Sequence, residues 1–261
     1  MNLNLENKKA LVLSSSKGIG YAIAKSLADE GCDVTITSSS KKNLLLAKKN
    51  ILKETSVEVS TEQINIHSLK SVKKGLSKIL KKGKIDILIL NSPGPKSISL
   101  VNSSFKDFQD AINHCLLNLI YISQEVIKKN FLNKNGRIIN LSSTTGLEPD
   151  TNMVMSNITR SALINYIKTA SKELSKKNIT FNSILTGGVM TERTINLIKL
   201  SAKRNKLNYK KVLKSASESI PVGYISDPDY FVNFITFLCS PLSGYINGAA
   251  IPLDGGLMKS L

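Results

Sequence analysis

Tryptophan is absent from the 261-residue chain, aromatic side chains make up 5% of it, and arginine stands only at Arg137, Arg160, Arg193 and Arg204. Proteins that grip single-stranded nucleic acid stack bases on aromatic faces, and readers of base edges and phosphates draw on the planar arginine fork. No nucleic-acid partner is therefore expected, despite a formal net charge of +17. A basic balance of that size fits nucleic acid, an anionic surface or an acidic substrate in general. Here lysine carries nearly all of it, scattered among many Asn and Ile residues, which is the mark of a composition bias. Cysteine is scarce too: Cys32, Cys115 and Cys239 lie far apart, with no CxxC pair and no Cys/His cluster. That spacing gives neither a zinc site nor a disulfide framework, so no metal is expected, and it fits a reducing cytoplasm. No apolar run approaches a membrane span. The opening MNLNLENKKALVL has no apolar stretch after a basic one, so neither a signal peptide nor a membrane partner is expected.

Against these absences stands an apolar fraction of 41%, which at this length can bury a large core. Its residues fall into two alternating periods. KKALVL (8–13), DVTIT (33–37), IDILIL (85–90), RIINLSS (137–143), ITFNSIL (179–185) and the start of AAIPLDGG (249–256) are short β-type runs, and VEVSTEQINI contains another. Between them, Ile19, Ala22, Ile23 and Leu27 recur at helical spacing up to Gly31, and helices are expected over 44–52, 69–80 and 230–238. A long amphipathic helix is expected from Phe105 to Val126, and another carries Leu163, Ile164, Ile167, Ala170 and Leu174. IDILIL is apolar at nearly every position, as in a parallel strand covered on both faces. Such alternation makes right-handed βαβ units. The expected fold is α/β, one domain over 1–261 with a doubly wound parallel β-sheet and helices on both faces.

The first strand runs into Ser14-Ser15-Ser16-Lys17-Gly18-Ile19-Gly20, and then a helix starts. A glycine turn there lets backbone N–H groups approach a pyrophosphate, whose charge the helix N-terminus favours. A GxG alone is only a tight turn; its place between the first strand and a helix marks a dinucleotide site and a Rossmann fold. Ser14, Ser16, Lys17, Gly18, Ile19 and Gly20 are thus cofactor-binding candidates. The second strand ends in Ser38-Ser39-Ser40-Lys41-Lys42, without the acidic residue that would bond an adenosine ribose 2′-hydroxyl. Small hydroxyls at Ser38 and Ser39, with nearby ammonium groups including Lys17, suit a 2′-phosphate, so NADP(H) is preferred over NAD(H). The alternative is that Lys41 and Lys42 simply begin a solvated helix.

In this order the motifs resemble the short-chain dehydrogenase/reductase family over 8–256, and within it the 3-oxoacyl-acyl-carrier-protein reductases. LILNSPG (88–94) stands where the family has NNAG, which implies Asn91 and Gly94 at the cofactor. Asn65 takes the slot of an Asp that usually contacts adenine. NSILTGGVMT (182–191) matches the segment ending in PG…T, with Thr186 for Pro, and implies Val189 and Thr191 against the nicotinamide carboxamide. LDGG (253–256) matches the C-terminal signature. Ser14 replaces the first glycine of the turn, a change compatible with binding where its φ is negative. The resemblance also implies a small-molecule or acyl-thioester substrate and a substrate lid over 190–218. There Lys199, Lys203, Arg204, Lys206, Lys210, Lys211 and Lys214 either meet an acyl carrier or face solvent. It further implies a homotetramer or homodimer, with the Phe105 and Arg160 helices packed across one interface.

The family's catalytic set is Asn, Ser, Tyr and Lys. Ser143 keeps the Ser slot, thirteen residues before the Tyr slot, but Cys115 fills the Asn slot, Ser156 the Tyr slot and Arg160 the Lys slot. In the family the phenol protonates the alkoxide, its pKa lowered from about 10 by the lysine. A serine hydroxyl is a far weaker acid, and losing a positioned general acid costs about 10²–10⁴-fold. Arg160 stays charged and cannot shuttle protons. Its fork either holds the nicotinamide ribose hydroxyls or is structural, paired with a carboxylate such as Asp150. A halohydrin-dehalogenase-like branch also has Arg there, but it keeps Tyr and loses the nucleotide loop, the reverse of this chain. Tyr166 and Tyr121 fall on helices near the expected site, but their spacing matches no family pattern; His114, a lone histidine more fitting for packing or surface than catalysis, adjoins Cys115, which fits a packed stripe. The catalytic candidates are therefore Ser143, Ser156 and Arg160. The expected function is an NADP(H)-dependent oxidoreductase that reduces a carbonyl, or else a nucleotide-binding sensor or oligomer subunit without catalysis.

Overall fold

Seven strands build one sheet in the computed structural model, which describes residues 1–260. Along the chain they are β1 (Lys9–Val12), β2 (Asp33–Ser38), β3 (Val59–Gln63), β4 (Ile85–Leu90), β5 (Leu132–Ser143), β6 (Thr180–Thr186) and β7 (Ala250–Leu253). They lie in the order β3-β2-β1-β4-β5-β6-β7, every neighbouring pair parallel. This is a single-domain Rossmann-type α/β fold.

The continuous apolar strands follow from two covered faces. Val12 and Ile89 point to one side, against Ile23 and Leu27 of α1 (Gly18–Asp29), Leu44 of α2 (Lys41–Ile51) and Ile235 of α9 (Pro228–Cys239). Leu11 and Leu88, one residue away in each strand, point to the other. There they meet Val72 of α3 (Leu69–Leu80), Leu119 of α5 (Asn118–Lys128) and Leu163 of α6 (Val154–Glu173). Each fully buried Leu or Ile contributes about 1.5–3 kcal/mol relative to exposure. The scarce Arg137 is a tie between layers: its buried guanidinium donates to the carbonyls of Ser240 and Pro241 after α9 and to those of Asn135 and Gly136. Among the described residues no helix is long and apolar enough to cross a membrane.

The expected elements are present with three adjustments. β5 begins at Leu132, five residues early, because Leu132 pairs with Ile85 before a register shift. The long helix is α4 (Phe105–Ile112), one wide π-type turn (Asn113–Leu117) and α5; α4 opens on a Ser104/Asp107 capping box. Phe105 is 77% exposed, so the apolar stripe meets this chain's core only beyond the first turn. Third, the basic segment is two helices, α7 (Glu192–Arg204) and α8 (Tyr209–Glu218), capped by the Thr191 and Asn208 side chains. Ile198 and Ala202 anchor α7, while the lysines from Lys199 to Lys214 face solvent.

From β1 the chain winds outward to β3, then returns to lay β4 on the other side of β1. Connections leaving the carboxyl ends of β1 and β4 therefore diverge, which opens a crevice at the switch point.

Candidate active site

Two adjoining cavities, of about 440 Å³ and about 360 Å³, occupy that crevice and share walls at Ile19, Asn91, Gly94, Thr191 and Arg193. Ser14, Ser16, Lys17, Gly18 and Gly20 line the larger one, as do Ser38, Ser39 and Asn65. Ser143, Ser156, Arg160 and Val189 line the smaller. Every site residue expected from the sequence thus borders one continuous cleft.

The glycine turn differs from expectation at Ser14, whose φ is +49°, in the left-handed region. Its conformation is imposed from outside the turn. The Ser14 N–H donates to Thr37 Oγ1 (3.0 Å), and its carbonyl accepts from Asn91 Nδ2 (3.1 Å). A left-handed L-residue costs roughly 1–2 kcal/mol, and glycine's greater unfolded-state freedom offsets part of any gain from removing it. Ser14→Gly is therefore expected to raise stability by up to about 1 kcal/mol, read as a higher urea midpoint at unchanged slope. An unchanged midpoint would show that serine sits there without strain. At Gly20 a Cβ would lie 2.6 Å from both Asn91 Nδ2 and the Ser14 carbonyl, so only glycine lets these segments touch. Helix α1 then starts with no side-chain cap and no acidic residue in its first turn. Its unpaired N–H groups and positive dipole end lie at the cavity that Gly18, Ile19 and Gly20 line, the chemistry a diphosphate requires.

At the far end Ser16 Oγ donates to Ser38 Oγ (2.8 Å), which also accepts from the Ser40 N–H. Asn65 Oδ1 accepts from the His67 N–H. The ammonium groups are placed otherwise than the sequence suggested. Lys41 and Lys42 are exposed on the first turn of α2, outside the cavity wall. Lys17 lines the cavity, but its Nζ pairs with Glu192 Oε2 at 2.9 Å, tying the glycine turn to the start of α7.

At the reacting end Ser143 closes β5, and Ser156 and Arg160 stand one turn apart on α6. Ser143 Oγ accepts from the Thr145 N–H (3.3 Å) and from Thr145 Oγ1 (3.1 Å). Thr145 Oγ1 is also 2.9 Å from Ser156 Oγ. Each hydroxyl has one proton. With Thr145 donating to Ser143, Ser156 must donate to Thr145, and the Ser143 proton is left to point into the cavity. Arg160, 6% exposed, donates from one terminal nitrogen to the Leu141 carbonyl (3.1 Å). It does not pair with Asp150, whose carboxylate instead accepts from the Asn152 N–H.

The other proton-donor candidates lie elsewhere. Tyr166 donates to Ser123 Oγ among the helices behind the sheet, and burial pushes its phenol pKa up. Tyr121 sits beside Lys73 on α5. Neither lines the cavity with Ser143. Cys115 is fully buried, its thiol pKa raised by desolvation, and it contacts the Pro93 carbonyl, as a packing residue should.

His114 is buried, with Nδ1 on the Asp110 carbonyl and Nε2 unpartnered. Its ring lies over His67, with centroids 4.1 Å apart. Desolvation lowers the pKa of both; the nearby His114 adds to this at His67, and Arg160 does so at His114 against Asp110. An unfolded histidine takes a proton near pH 6.5, whereas these resist it when folded. Stability is therefore full above about pH 6.5 and declines as pH falls through that value. Urea midpoints measured from pH 7.5 down to 5 are expected to drop, and His114→Phe to flatten the drop. An unchanged slope in the variant would contradict this.

Thr145 and Arg193 are among the cleft residues that sequence reasoning passed over. Thr145 carries no signal beyond lying two residues after Ser143. Arg193 carried one: it is among four arginines in a lysine-rich chain.

An open parallel sheet with a glycine turn at its switch point defines a Rossmann-type protein. A family described as enoyl-(acyl carrier protein) reductase matches residues 13–258. The chain is 30% identical over 259 residues to the 3-oxoacyl-acyl-carrier-protein reductase FabG of Aquifex aeolicus, spanning 98% of this chain and 100% of the relative. It is 29% identical over 265 residues to the NADPH-dependent reductase BacG of Bacillus subtilis, with 98% and 100% covered. L-sorbose reductase from Gluconobacter frateurii, solved with NADPH and L-sorbose, matches over 100% of both chains with a TM-score of 0.93 at 25% identity. The chain belongs to the short-chain dehydrogenase/reductase family.

Proposed function

We propose that the protein is an NADP(H)-dependent oxidoreductase that reduces a carbonyl by hydride transfer. The observation that carries this is the Ser143 hydroxyl: it accepts two hydrogen bonds from Thr145, so its proton faces a cavity continuous with the glycine-turn crevice. A bound nicotinamide would supply the hydride. As charge grows on the carbonyl oxygen, Ser143 donates to it, a contact already oriented before reaction. Thr145 and Ser156 hold that orientation. Arg160, with most of its donors unused by protein, keeps positive charge beside the site and bonds the nicotinamide ribose hydroxyls. Among the described residues no Tyr, His or Lys lines the reacting cavity, and the final proton comes from water along the hydroxyl chain, at a rate below that of an enzyme with a positioned phenol.

The glycine turn, Ser16, Ser38, Ser39, Asn65, Asn91, Gly94, Val189 and Thr191 would hold the cofactor. NADP(H) is preferred because no carboxylate follows β2 and because BacG is an NADPH-dependent relative. Residues 190–218 form the substrate lid. The exposed Phe105 supports a homo-oligomer built through α4, and three buried, free cysteines suit the cytoplasm. The second reading, a nucleotide-binding subunit without catalysis, is favoured by the replacement of the family's phenol and lysine with Ser156 and Arg160. Calorimetry with NADPH and NADH, followed by NADPH consumption over a panel of ketones and acyl thioesters, tests both. Absent nucleotide binding refutes both; binding without turnover of any panel member leaves the second.

A further inference from the structure

The guanidinium groups of the reacting cavity form no ion pair among the described residues. All nine ion pairs among the described residues are made by lysines. Arg160 and Arg193 both line the cavity with Ser143, and neither has a carboxylate within 4.0 Å among those residues. Arg160 is 6% exposed, and among the described residues its five N–H donors make one bond, to Leu141. Arg193 is fixed at the rim by bonds to the Gly94 and Pro95 carbonyls, both 3.0 Å. A Cβ on Gly94 would come within 2.8 Å of that guanidinium.

Two further facts favour an anion beside this pair of cations. Arg193 sits in the first turn of α7, where the helix dipole favours an anion and disfavours a cation. Arg193 is exposed at the rim, and partial desolvation of its guanidinium, followed by the charge of Arg160, lowers its pKa, so the two cations disfavour one another across the cavity. Among the described residues the same wall carries one carboxylate, Asp150. Those two cations and one anion leave a single positive charge over, enough for one monoanion. A carboxylate matches the guanidinium fork.

We infer that the cavity beside Ser143 takes a carbonyl substrate that bears a carboxylate, bound between Arg193 and the free edge of Arg160. The inference rests on the proposed carbonyl reduction at Ser143 and names the substrate class for it. The carboxylate is a handle and is not altered; hydride and proton go to the carbonyl as above. Arg160 has donors enough for a ribose hydroxyl and a carboxylate oxygen together. The same cations could instead serve the cofactor's phosphates, and the experiment separates the two sources.

Oxamate, a non-reducible analogue of a 2-oxo acid, and its neutral counterpart oxamide are titrated calorimetrically into the full-length protein, with and without saturating NADPH. Oxamate is expected to bind the NADPH-loaded protein at least tenfold tighter than oxamide. Arg193→Met is expected to weaken oxamate at least tenfold and NADPH by a clearly smaller factor, the part that follows from loosening the Gly94 and Pro95 loop, and Arg193→Lys to retain part of the oxamate binding. Equal affinity for the two probes, or no heat with either, overturns the inference in the unaltered protein, even where the variants fail to fold. An equal loss of NADPH affinity in Arg193→Met also overturns it, assigning the cation to the phosphates. Should NADPH itself not bind, the proposed reduction fails, and the oxamate titration of the nucleotide-free protein still decides whether the cation pair holds an anion.

Discussion

Ser143→Ala is expected to slow NADPH-dependent carbonyl reduction by about 10²–10³-fold, the usual effect of removing one preorganised donor to a developing oxyanion. NADPH affinity should hardly change, because Ser143 lines the reacting cavity and not the wall formed by the glycine turn. The alanine leaves Thr145 with a proton and no acceptor at Ser143, so the hydroxyl chain loses its polarity as well as its end. Thr145→Val should reproduce part of the loss and Thr145→Ser should restore it, since serine keeps the hydroxyl and the N–H. A Ser143→Ala enzyme with full kcat would remove Ser143 from the chemistry, and with it the proposed mechanism.

The second large effect runs the other way. Ser156→Tyr combined with Arg160→Lys is expected to raise kcat by about 10²-fold or more, since a positioned general acid is worth 10²–10⁴-fold. The two positions are one helical turn apart on α6 and both line the cavity. An ammonium at 160 therefore lies where it can lower the pKa of a phenol at 156. The variant should also gain a pH–rate dependence on the basic side, as the phenol loses its proton, where no tyrosine, histidine or lysine among the parent's described residues lines the cavity to produce one. No gain in either measure would mean that the cavity cannot seat a ring at 156. The single Arg160→Lys change should yield no such gain, because it supplies the charge without the acid.

Much of this cleft was legible because period and spacing are local properties. The apolar run over Ile85–Leu90 and the helical repeat over Leu69–Leu80 have the bounds observed. Ser156 and Arg160, four residues apart on one helix, had to share a face. What escaped depended on contacts between distant segments. The left-handed Ser14 is set by Thr37 and Asn91, which no inspection of the turn itself would reveal. Tyr166 lies ten residues beyond Ser156, roughly 15 Å along the axis and on another side of the helix, which bears out its setting aside on spacing. Lys17 was counted as free for a phosphate because its partner, Glu192, comes 175 positions later. Arg193 was lost in a segment whose lysines do face solvent, and only its bonds to Gly94 and Pro95 distinguish it.

Those bridges from α7 to the glycine turn and to the loop after β4 have a thermodynamic corollary. Lys17–Glu192 and Arg193–Gly94 fasten the start of α7 to the walls of both cavities, so a ligand in one cavity that shifts the start of α7 would alter the other. Linkage then demands reciprocity: whatever factor the nucleotide contributes to the affinity of the second ligand, that ligand returns to the nucleotide.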